Sequence, residues 1–205
     1  SLTLTWQLSE KVELKSLTTY RELESNVQNN MMTDTYSRFP GRPVIASLGD
    51  LDQDQFSQEF QITGDAFGGQ LEYVAGLYYF KESGDNTGFT RTGNFIPVPI
   101  TAGVTISTAD NEATAVFGQA TYTPSALGDR LHLTLGGRWS EDKREATLVM
   151  ATAAAGVITP TGMPGDGNKT YRNVSPTAVV AYDITDDVNV YAKVARGYKS
   201  GGYNT

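Results

Sequence analysis

One histidine, no cysteine and 23 carboxylates bound the chemistry open to this chain of 205 residues. His132 could serve as a general base only beside a nucleophile and a group to orient it. Its place in a strand of alternating polarity reads instead as a hydrogen-bonded wall residue. A lone His and no Cys argue against a transition-metal site or axial haem ligation, and no cofactor is expected. Asp50, Asp52 and Asp54 form a D-x-D-x-D run resembling the opening of a calcium loop. The match then fails, because the sixth position is Gln55 instead of Gly and the twelfth Gln61 instead of Glu. A looser calcium site of loop carboxylates stays open beside the reading of a solvated acidic rim. The stretch 165–170 (GDGNKT) resembles a phosphate-binding loop, but Asn168 separates Gly167 from Lys169 and no helix follows. It reads as a flexible loop tip. Four charges inside strand-like runs remain as candidates: Glu59, Glu72, Arg138 and Lys193.

What those four can do depends on the elements that hold them. Eight strands are predicted, at about 1–8, 12–24, 53–64, 70–82, 111–123, 130–142, 171–183 and 188–200, from period-two alternation. In the sixth, Leu131, Leu133, Leu135, Gly137 and Trp139 share one face, and His132, Thr134, Gly136, Arg138 and Ser140 the other. The fourth repeats this, with Leu71, Tyr73, Ala75, Leu77 and Tyr79 against Gln70, Glu72, Val74, Gly76 and Tyr78. In the third, Gln58 interrupts an apolar face of Phe56, Phe60 and Ile62. The faces of the second and fifth strands stay open. Short turns fall near 9–11, 65–69, 124–129 and 183–187, and long polar loops near 25–52, 83–110 and 143–170. Each loop is about 27 residues, far beyond the few usual between soluble strands.

Tight turns at one end and long loops at the other are the pattern of an outer-membrane β-barrel. The expected fold class is all-β: antiparallel, up-and-down transmembrane strands, about eight of them. Thirteen residues tilted by about 40° rise roughly 33 Å, enough for the ~25 Å apolar band of such barrels. Aromatic residues gather at strand ends, with Trp6, Tyr73, Tyr122 and Tyr182 toward the short turns and Tyr79, Trp139, Tyr171 and Tyr198 toward the loops. Two girdles at the membrane interfaces would produce that spacing. A soluble β-sandwich rarely needs strands so long. Mean hydropathy is −0.32, and no run approaches the ~20 apolar residues of a spanning helix. A barrel does not need one, since only alternate residues face lipid. Net charge is −7, which argues against nucleic acid as a partner.

The loop order places both chain ends on the extracellular side, whereas a complete bacterial barrel normally has them in the periplasm. The chain also starts at Ser1 with no signal-like segment. Both features lead to the expectation of consecutive strands from the middle of a larger barrel. The alternative is a small closed barrel acting as an anchor or adhesin.

Several segments then resemble one family. Residues 56–64 (FSQEFQITG) with 73–82 (YVAGLYYFKE), 116–122 (VFGQATY) with 131–143 (LHLTLGGRWSEDK), and the hairpin 174–204 ending in RGYKSGGYN are similar to hairpins of TonB-dependent outer-membrane receptors. The resemblance implies a segment of a 22-stranded barrel spanning 1–205, without the plug domain and C-terminal strands. It implies energy-coupled import of a scarce ligand of the siderophore, cobalamin or glycan class, and no enzymatic activity. Implied partners are outer-membrane lipid, the TonB complex, the plug, and a small ligand such as a ferric siderophore. The implied location is the bacterial outer membrane. Glu59, Glu72, Arg138 and Lys193 would contact ligand or plug, with ligand choice in loops such as 39–43 and 89–99.

Overall fold

The computed structural model describes residues 1–31, 45–92 and 102–203. These build one antiparallel sheet of nine strands: β1 (Leu2–Ser9), β2 (Val12–Met31), β3 (Ile45–Ala66), β4 (Leu71–Thr92), β5 (Ala102–Tyr122), β6 (Leu131–Ala154), β7 (Val157–Pro160), β8 (Gly165–Thr185) and β9 (Val188–Ala195). Neighbours in sequence are neighbours in space, in the order β1-β2-β3-β4-β5-β6-β8-β9, with β7 a short addition to β6. The up-and-down antiparallel expectation is met, and the tight turns and the long connections fall at opposite ends.

Strand length departs from expectation. Most of the supposed loops are strand: β2 and β3 stay in register from Val12↔Gly64 to Met31↔Ile45, and β4 and β5 from Leu71↔Tyr122 to Arg91↔Ala102. Polar residues on both faces hid this pairing, because alternation is visible only where one face is consistently apolar. GDGNKT is likewise no loop tip; it opens β8, with Gly165 opposite Leu148 and Lys169 opposite Arg144. Of the loops expected to select ligand, 39–43 lies outside the described residues, and 89–99 begins as the end of β4 and then leaves them.

The turns follow local chemistry. Between β3 and β4, Gly68 (φ 72°) and Gly69 (φ 91°) take left-handed backbone that a side chain would oppose. Between β5 and β6, Gly128 closes a short 3-10 turn and returns its N–H to the Ser125 carbonyl.

Continuous register settles both faces, including those of β2 and β5. One rung of Cα partners runs Leu4, Ser16, Phe60, Leu77, Val116, Trp139, Val174. The adjacent rung on the other face runs Lys15, Gln61, Gly76, Phe117, Arg138, Ser175. The apolar face has no protein layer over it among the described residues: Leu135 is 69% exposed and Leu77 56%. An uncovered apolar sheet this wide calls for a non-aqueous partner. Gln58, the interruption on that face, is satisfied there. It accepts from Thr18 Oγ1 at 2.6 Å and donates to Ser16 Oγ at 2.9 Å. Glycine and aromatic residues interlock across strands. Phe117 lies in the space a side chain at Gly76 would fill, and the Tyr73 hydroxyl sits 2.6 Å from a Cβ built on Gly64.

Candidate functional site

The four charges singled out from sequence all lie on the polar face. Glu59 on β3 sits opposite Tyr78 on β4, Glu72 opposite Asp65 and Thr121, Arg138 opposite Phe117 and Ser175, and Lys193 opposite Val179. The structure brings two of them into one neighbourhood and keeps the others apart. Glu59 and Arg138 both flank Tyr78. Glu72 and Lys193 share a rung, but Thr121, Thr134 and Val179 stand between them. That is four strand spacings, roughly 19 Å. No ion pair joins any two of the four among the described residues.

Arg138 has the most defined surroundings. Its guanidinium carbon lies 5.3 Å from the Tyr78 ring centre and 5.8 Å from that of Phe117. Its Nε donates to Ser140 Oγ at 3.0 Å. The cation is held by aromatic faces and one hydroxyl, with its terminal nitrogens in the open. Glu59 is held by an amide, since Gln61 Nε2 donates to Glu59 Oε1.

A second cluster lies further along β6, toward the long connections. Asp142, 9% exposed, accepts from Tyr198 Oη at 3.1 Å and pairs with Arg144 at 3.4 Å. Arg144 also donates to Ser200 Oγ at 3.0 Å, while its Nε is buried with no hydrogen-bond partner. Tyr171 stands opposite Asp142 and covers Gly201. Tyr171 and Tyr198 therefore serve the polar face. They do not belong to a membrane girdle as expected; the loop-side aromatics of the apolar face are Tyr79 and Trp139, joined by Phe56 and Tyr20. Sequence reasoning passed over Asp142 and Arg144, although both continue the alternation from Arg138. It could not have found Phe117 or Tyr78 as Arg138's partners, because cross-strand register carries that contact.

At the turn end, His132 is hydrogen-bonded as expected. Nδ1 meets Thr123 Oγ1 at 2.9 Å and Nε2 meets Asp183 Oδ2 at 3.0 Å. Asn189 donates to the other Asp183 oxygen at 2.6 Å. His132 and Asn189 together hold the Asp183 carboxyl, at the rim beside the last turn, below the ordinary carboxylate range. Hydroxyl, imidazole and carboxylate form a chain resembling a catalytic triad. Here they tie β5, β6, β8 and β9 together. The aspartates at 50, 52 and 54 lie at two-residue spacing on one face of β3, and no three His, Cys, Asp or Glu side chains among the described residues converge to hold a metal.

One amphipathic sheet of sequential antiparallel strands matches a known architecture over its full length. A family model described as TonB dependent receptor-like, beta-barrel, fits residues 1–205. The chain belongs to the TonB-dependent receptor β-barrel family. Its fold is similar to the crystal structure of the ferric yersiniabactin uptake receptor FyuA from Yersinia pestis, with a TM-score of 0.72 and 20% identity. The match covers 98% of this chain and 28% of FyuA. TonB-dependent receptors are outer-membrane transporters and receptors, not enzymes, so the Thr123-His132-Asp183 chain is a structural tie. In such a barrel the apolar face meets lipid and the polar face lines the lumen. Arg138, Arg144 and Glu59 are then lumen residues.

Proposed function

We propose that residues 1–205 form part of the wall of a 22-stranded receptor that imports a scarce ligand across the bacterial outer membrane. A plug domain and the remaining strands belong to the parent protein, and the TonB complex supplies the energy. The observation that carries this reading is the family match along the whole of an amphipathic sheet whose apolar face is bare of protein among the described residues. FyuA, a ferric yersiniabactin uptake receptor, favours a ferric siderophore over cobalamin or a glycan as the ligand class. Glu59, Glu72, Arg138 and Lys193 contact ligand or plug from the lumen wall. Accumulation of radiolabelled iron chelates by iron-starved cells carrying the full-length receptor tests the reading. Uptake should require both the receptor and TonB. Uptake that continues undiminished without TonB would refute it.

A further inference from the structure

Charge on the lumen wall changes from strand to strand, and β2 presents Lys15, paired with Glu13, and Arg21. β3 and β4 present Glu59, Asp65, Glu72 and Glu82 to it and, among the described residues, no base. β5 presents no charge at all. β6, β8 and β9 present Arg138, Arg144, Lys169 and Lys193 against Asp142 and Asp183. The bases descend in steps. Arg144 and Lys169 stand opposite each other near the long connections. Arg138 lies six residues further down β6, about 20 Å at the strand rise, and Lys193 the equivalent of four residues below that, about 13 Å. Lys169 stands 5.1 Å over the Tyr171 ring. Of the four bases only Arg144 makes an ion pair among the described residues.

Arg138 is the best-formed step. Tyr78 and Phe117 both lie within cation–π distance of its guanidinium, and Ser140 takes its Nε. The terminal N–H groups have no hydrogen-bond partner among the described residues, and the residue is exposed. A guanidinium fork backed by two aromatic rings and left open at its terminal nitrogens suits two oxygens of one carboxylate. We propose that Arg138 is an anion seat, and that the bases of β6, β8 and β9 form a track that selects a chelate carrying free carboxylates and net negative charge. The proposal rests on the import reading and names the class of cargo. Opposite charge along one wall favours entry of such a chelate, and the acidic wall of β3 and β4 disfavours its approach from the other side. A single contact to a plug carboxylate would need Arg138 alone, not bases spaced from rim to turn.

The test uses the full-length receptor and three ferric complexes of graded charge: ferric dicitrate (anionic), ferrichrome (neutral) and ferrioxamine B (cationic). Binding is read by quenching of tryptophan fluorescence, and folding by heat-modifiable gel mobility. The native receptor should bind ferric dicitrate at least roughly tenfold tighter than the other two. Arg138→Gln should lose roughly tenfold for ferric dicitrate alone, and Arg138→Lys should recover part of it. Should Arg138→Gln fail to fold, Lys193→Gln and Lys169→Gln should show smaller losses of the same selectivity. Equal binding of the three complexes, no binding of ferric dicitrate, or a loss shared by all three overturns the seat. A lower unfolding temperature with binding unchanged assigns Arg138 to a carboxylate of the protein and also overturns it. TonB-dependent uptake of a neutral chelate, unaffected by Arg138→Gln, would leave import standing and remove only the seat.

Discussion

The two halves of each long strand share one ladder and differ in what they show outward. In the half near the short turns, the lipid face is Leu71, Tyr73, Ala75 and Leu77 on β4 and Leu133, Leu135 and Trp139 on β6. In the half near the long connections, the same face carries Glu22, Asp54, Asp110 and Glu145 along a single rung with Ser83. Strands of 20 to 24 residues explain both halves. At about 3.3 Å per residue and a tilt near 40°, they rise roughly 50 Å or more, about twice the apolar band. Backbone pairing tolerates either solvent. The outward side chains decide which half stands in lipid and which in water.

The largest expected effect breaks that division directly. Leu135→Arg should destabilise the intact barrel by about 2–4 kcal/mol, the cost of a base near mid-bilayer. Thr134→Arg points into the lumen, and Glu145→Arg lies in the aqueous half; both should cost far less. Folding titrations into lipid vesicles can rank the three, and equal costs would show the faces or the halves to be misassigned.

Packing sharpens the contrast. A Cβ at Gly76 would meet the Phe117 ring and, at 2.7 Å, the Phe60 carbonyl oxygen, whereas at Gly49, in the aqueous half, it would meet nothing within 4 Å. Gly76→Ala should therefore cost about 1–3 kcal/mol. Gly49→Ala should be neutral or slightly stabilising, by up to about 1 kcal/mol. Urea midpoints of the two variants would separate them, and a tolerated Gly76→Ala would mean that Phe117 moves freely.

A smaller effect tests polar satisfaction on the lipid face. Gln58→Ala leaves the Ser16 and Thr18 hydroxyls without their amide, at a cost of about 1 kcal/mol. Gln58→Leu with Ser16→Ala and Thr18→Val should restore stability. If the triple variant is no more stable than Gln58→Ala, the amide contributes nothing on this face.

The smallest effect lies at the turn end. The carboxyl of Asp183 titrates lower in the folded protein than in the unfolded chain. Its contribution is present above the unfolded carboxylate value and is lost as pH falls through the depressed folded value. Asp183→Asn should lower stability slightly near neutrality and flatten its fall below about pH 4, so that the two proteins converge in acid. Equal acid slopes in both proteins would dismiss the His132-Asp183 tie as an energetic contact.

Local alternation made the lipid-level half of the sheet legible in sequence. Side chains on a strand alternate faces, so Leu131 to Trp139 and Leu71 to Tyr79 announce both strand and lipid face without knowledge of any partner. The same rule put Glu59, Glu72, Arg138 and Lys193 on the polar face, and chain order with tight turns was enough for the up-and-down topology. Only the tertiary structure decided matters of register. Polar residues on both faces of 25–31, 45–52 and 83–92 carry no period, so their strands exist through pairing with neighbours far along the chain. Register likewise placed Tyr78 and Phe117 under Arg138, set Thr123 and Asp183 on either side of His132, and turned Tyr171 and Tyr198 away from lipid. Face is a property of one strand and can be read from it; contact depends on how far one strand is shifted along the next, and the ladder as a whole sets that.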